Sequence, residues 1–125
     1  MAQETLEERK LKVLEGYVDY ARTRDSSRFV QDDDARSAAR DLGGLRSKPA
    51  IPLLVQCILV TNSFDAGVTF RDALVSIGRP ALATIETALS KSGFGGFRIY
   101  PAGPARNNLE GAKNRILQAL RPKSE

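Results

Sequence analysis

The chain contains no histidine, no tryptophan, one cysteine and one methionine. Without histidine, Ser-His and Cys-His nucleophile pairs and histidine metal sites are excluded. A lone cysteine rules out a disulfide within the chain. Cys57 lies among Leu53, Leu54, Val55, Ile58, Leu59 and Val60, where a thiol packs as a small hydrophobe and no basic neighbour in sequence lowers its pKa. Long hydrophobic runs are missing too: the longest, 50–60, is interrupted by Pro52 and Gln56 and falls far short of the ~20 residues that cross a bilayer. The opening MAQETLEERKLK is charged and lacks the apolar core of a secretory signal. From these absences the expectation is a cytoplasmic protein with no membrane partner, no metal and no cofactor.

What is present suffices for one domain, 1–125, with its own core. The net charge of +4 is unevenly spread. Residues 1–34 carry nine acidic and six basic side chains, whereas residues 91–125 carry two acidic and seven basic ones. Such polarity steers an anionic partner or keeps the surface soluble.

The strongest pattern is a repeated phrase. Ala35-Arg36-Ser37-Ala38-Ala39-Arg40-Asp41-Leu42-Gly43 returns 35 residues later as Phe70-Arg71-Asp72-Ala73-Leu74-Val75-Ser76-Ile77-Gly78, and each copy is followed by a proline-led helical phrase starting at Pro49 or Pro80. A period of this length marks stacked helix pairs. Helical spacing of apolar residues predicts helices at about 5–23, 33–43, 49–61, 68–77, 80–91 and 106–120. Thr5 and Glu8 form a capping box for the first. Asp32, Asp33 and Asp34 cap the second and offset its dipole; they lack calcium-loop spacing. Gly43-Gly44 is expected to end that helix in the left-handed conformation. The third helix is apolar almost all round and reads as the central element. Asn62 to Thr69 reads as a turn. Residues 92–105 form an irregular loop with four glycines and two prolines, in which a Gly-Gly hairpin flanked by Phe94 and Phe97 fits.

Asp32, Ala35-Arg36, Ala38-Ala39, Leu42-Gly43, Ala50-Ile51-Pro52, Leu54 and Ile58 carry a pattern that resembles the HEAT-like repeats of phycobilisome-lyase-type and other armadillo-fold proteins. Phe70-Arg71, Ala73-Leu74, Ile77-Gly78, Pro80-Ala81-Leu82, Ile85 and Leu89 carry it again. The pattern's valine is replaced by Ala35 and Phe70, its acidic residue is displaced to Asp65 in the second copy, and the last helix matches weakly. The resemblance implies an all-α fold, a short α-solenoid of about three stacked antiparallel helix pairs. It also implies a concave binding face lined by the second helix of each pair, with Arg36 and Arg71 paired to acidic groups of neighbouring repeats. Charged outward faces at both ends favour a complete array, with the first and last helices as caps, over a piece of a longer one.

Three functions follow as expectations. The first is a non-enzymatic scaffold that binds a protein through Gln56, Thr84 and Thr87 on the third and fifth helices and through Phe94, Phe97, Arg98 and Tyr100 in the loop. Aromatic and guanidinium groups are favoured at binding hot spots; alternatively, Phe94 or Ile99 folds back to close the core edge. Self-association through the third helix is subordinate. The second is nucleic-acid binding through Lys91, Arg98, Arg106, Lys113 and Arg115, joined by Arg121 and Lys123. A lyase-like or accessory enzyme subunit, by resemblance, is the third. The glycine spacing does not match the GxGxxG fingerprint, so nucleotide cradling is rejected.

Overall fold

Thr5 opens the first helix as its spacing predicts: its hydroxyl accepts the Glu8 N–H at 3.0 Å and donates to Glu8 Oε1 at 3.1 Å. In the computed structural model, which describes residues 4–91, 93–100 and 103–121, this helix is α1, Leu6–Thr23. It ends at Arg24, whose φ of 58° is left-handed. A single 3-10 turn, Ser26–Arg28, leads to α2, Asp32–Gly44. α3, Ala50–Val60, and α4, Phe64–Ile77, follow. A second 3-10 turn, Arg79–Ala81, precedes α5, Leu82–Ser90. The hairpin β1, Gly93–Phe94, and β2, Phe97–Arg98, then connects to α6, Pro104–Leu120. The fold is helical, and among the described residues no helix is long and apolar enough to cross a membrane.

Six helices pack in two layers. One layer runs α1, α3, α5 and the other α2, α4, α6. Between the layers, α1 packs on α2, α3 on α4 and α5 on α6. The consecutive helices α2 and α3 barely touch, nor do α4 and α5. Each sequence repeat therefore begins in one packed pair and ends in the next, so the covalent repeat and the packing repeat are out of phase by one helix. α3 is the central element, with Ala50, Ile51, Leu54, Val55, Cys57 and Ile58 buried against several neighbours. Phe70, fully buried, meets Tyr17 edge to face at 5.6 Å between ring centroids. Burying a side chain of that size contributes about 1.5–3 kcal/mol.

The structure corrects five local expectations. α4 begins at Phe64 rather than near residue 68, because Ser63 caps it by accepting the Ala66 N–H at 3.1 Å; most of the expected 62–69 turn is helix. Gly43 and Gly44 are helical, and the left-handed residue is Arg46, φ 52°. What Gly43 supplies is closeness, since a Cβ there would sit 3.1 Å from Ala73 Cα. Asp32–Asp34 occupy the first turn of α2 while Gln31 holds the cap position without a side-chain bond, so the acidic run serves the dipole and not the cap. Arg36 reaches the neighbouring repeat through a hydroxyl, Nε to Thr69 Oγ1 at 3.1 Å, and Arg71 binds Asp72 beside it on α4. α6 starts at Pro104, two residues earlier than expected.

Candidate functional site: a hairpin strapped across one helical layer

Phe94-Gly95-Gly96-Phe97 folds as a two-residue hairpin in which Phe94 pairs with Phe97 and Gly93 with Arg98. Both central residues have positive φ, 59° and 85°, the pair of values a type I′ turn needs and glycine adopts without strain. Space demands glycine as well: a Cβ on Gly95 would fall 2.1 Å from Gln56 Nε2.

The hairpin lies on the α1–α3–α5 layer. β1 packs on α5 and β2 on α3. From α1, Arg22 reaches over, donating from a guanidinium nitrogen to Gly95 O at 2.7 Å and stacking 4.9 Å from the centroid of Phe97. Arg22 was not among the residues the sequence singled out. Its position in the last turn of α1 lies 73 residues from Gly95, and only the fold brings them together. Behind the hairpin, Ile99 is buried at 2% exposure and closes the core edge.

The expected contact residues divide accordingly. Gln56 packs under Gly95, and Phe94 and Phe97 are half-buried. Thr87, Lys91 and Arg98 border an open cleft of about 450 Å³ together with both phenylalanines. Tyr100 stands just beyond, 66% exposed. Thr84 is half-buried on α5 and does not line the cleft. Ile99 closes the core edge, as the alternative reading of the loop expects, while Arg98 and Tyr100 face outward.

The basic residues separate into three places. Lys91 and Arg98 border the hairpin cleft. Arg106 and Lys113 line a groove of about 470 Å³ between α5 and α6, where Glu86 and Glu110 stand among them and Arg106 Nε lies 2.9 Å from Glu110. Arg115 approaches Asp72 of α4 at 3.7 Å, sharing that carboxylate with Arg71. Lys123 lies outside the described residues, as do Ser92, Pro101 and Ala102 of the loop.

Burial pushes the Cys57 thiol well above its ordinary range. Asp25 is held below the usual carboxylate range by the hydroxyl and backbone N–H of Ser27, which fix the 3-10 turn. Among the described residues, no cluster of three or more histidine, cysteine, aspartate or glutamate side chains is placed to hold a metal ion. Comparison with known protein families, with curated proteins and with solved structures finds no match to this chain.

Proposed function

We propose that this chain is a non-enzymatic, cytoplasmic scaffold, a short HEAT-like α-solenoid that binds a protein through the hairpin cleft on its α1–α3–α5 layer. The observation that carries the reading is the division of labour within the hairpin. Arg22, Gln56 and Ile99 hold it in place, leaving Lys91, Arg98 and Tyr100 exposed beside two half-buried aromatic rings. A preorganised loop on a rigid stack loses little entropy on binding, and arginine with tyrosine supplies most of the energy at such surfaces. Lys91 and Arg98 have no acidic partner among the described residues, which favours an acidic segment as the partner's contact.

The test is a triple variant, Lys91→Glu, Arg98→Glu and Tyr100→Ala, at three exposed residues. Proteins cross-linked by the wild-type chain from its native host should be absent with the variant, at an unchanged melting temperature. Retention of every partner refutes the assignment. Nucleic-acid binding, the runner-up, requires salt-sensitive retention that falls when Arg106, Lys113 and Arg115 are neutralised. The acids interleaved with those residues favour the protein reading.

A further inference from the structure

A second concavity, built from residues the hairpin does not use, lies where the end of α1 meets the 3-10 turn and the α3–α4 connection. Its volume is about 330 Å³, at the small end of the ~300–1,000 Å³ range of ligand pockets. Two of its walls are rings: Tyr20 and Phe29 meet edge to face, centroids 5.1 Å apart and planes at 79°. Opposite charge enters through Asp32. Tyr17 Oη donates to Asp32 Oδ1 at 2.7 Å and is bonded to Thr61 Oγ1 at 2.8 Å, so the carboxylate is held in orientation. No ion pair engages Asp32 among the described residues, although Arg24 also lines the cavity. The Arg24 guanidinium sits instead over the Tyr20 ring, 5.7 Å from its centroid.

We propose that this cavity binds an alkylammonium group, enclosed by Tyr20 and Phe29 and neutralised by Asp32. Aromatic faces attract cations through their quadrupole, and an aromatic corner with a carboxylate at its edge matches a cation whose hydration shell is weak. The fold itself displays the affinity, because it already rests a guanidinium on Tyr20. That guanidinium belongs to an exposed side chain at the C-cap of α1 and can swing into solvent. Burial, and then the charge of Asp32, raise the Tyr17 pKa against a lowering by the Thr61 hydrogen bond; the phenol keeps its proton and continues to orient the carboxylate. A carboxylate ligand would meet Asp32 head-on, with only Arg24 to offset it.

The experiment is an NMR titration of the full chain with benzyltrimethylammonium, with benzoate as the anionic arm. Saturable shifts are expected at Tyr20, Phe29 and Asn62 with the cation. Asp32→Asn keeps an acceptor for Tyr17 but removes the charge, and should weaken binding about fivefold, as should Tyr20→Leu; Arg24→Ala, which removes the competing cation, should tighten it about threefold. Melting temperatures of the three variants show that the fold is intact. No saturable shift in the wild type, equal affinities in wild type and Asp32→Asn, or preferential benzoate binding that depends on Arg24 overturns the proposal. A peptide carrying trimethyllysine distinguishes sources: tighter binding than the free probe assigns the group to a protein side chain, and equal binding assigns it to a small molecule. None of these variants touches the hairpin cleft, so the two readings stand or fall separately.

Discussion

Replacing Arg22 by alanine should loosen the hairpin while leaving the helical stack in place. Two interactions are lost: the charge-assisted bond to Gly95 O at 2.7 Å and the stack on Phe97 at 4.9 Å. Arg22 is exposed, so solvent cuts the bond to about 1 kcal/mol, below the ~1.5–3 kcal/mol of a charged donor, and the cation–π contact is worth about 0.5–1 kcal/mol. Together they give about 1.5 kcal/mol of hairpin docking, close to a tenfold change in an opening equilibrium. Native-state hydrogen exchange reads this directly, because local openings report their own free energies. Amides from Phe94 to Ile99 should exchange about tenfold faster in Arg22→Ala, while those of α2 and α4 stay as in the wild type. Arg22→Lys keeps the charge and a donor but loses the planar stack, and should fall between the two. Unchanged hairpin exchange would show that Gln56 and Ile99 suffice to hold it. Uniform acceleration across all helices would show that Arg22 supports the core, and either result refutes the strap.

Two glycines in one layer should respond oppositely to alanine. At Gly43 the new methyl meets the Ala73 backbone of α4 at 3.1 Å, and moving a packed helix outweighs the gain in helix propensity, for a net loss of about 1 kcal/mol in denaturant melts. At Gly67 its one close contact is the amide end of Asn108, with Thr61 Cγ2 at an ordinary 3.7 Å; the amide can rotate away, so Gly67→Ala should stabilise by up to ~1 kcal/mol. Ser47→Ala should stabilise by about 1 kcal/mol, because Ser47 Oγ is buried without a hydrogen-bond partner among the described residues. Burial raises the Cys57 pKa, so above pH ~8.5 the unfolded chain releases a proton that the folded chain keeps. Stability should then fall with rising pH by up to ~1.4 kcal/mol per unit, and Cys57→Ala should flatten that slope. The same burial should delay reaction of Cys57 with thiol reagents until the protein is unfolded.

The helices were legible where local chemistry and tertiary packing agree. Thr5 with Glu8, Pro80, and the Ala35, Ala38, Ala39, Leu42 stripe mark elements that the structure contains at nearly the same bounds. The sequence pattern starts α4 too late because Gly67 depresses local helix propensity. The Ser63 cap and the burial of Ala66 and Gly67 hold that opening turn in the helix, which packs between α2 and α6. At Gly43 the residue type was informative but its meaning was ambiguous, since glycine serves both left-handed turns and close approach. The turn of the hairpin was readable from Gly95-Gly96, yet its docking was not. Arg22, Gln56 and Ile99 converge on it from three parts of the chain. The aromatic cavity was not legible at all. Arg24, the left-handed residue that ends α1, stacks on Tyr20 of the last turn, and Phe29 and Asp32 join them only through the chain reversal at Ser26–Arg28.

The offset between covalent repeat and packed pair has a mechanical consequence. Bricks laid in running bond resist splitting because no straight joint passes through the wall, and α2–α3 and α4–α5 each tie two packed pairs in that way. Excising one 35-residue copy would leave a helix on either side of the cut without its mate. Pulled from its ends, such a chain should not shed its repeats one by one. It should yield in a single rupture, in contrast to arrays whose units are each closed within themselves.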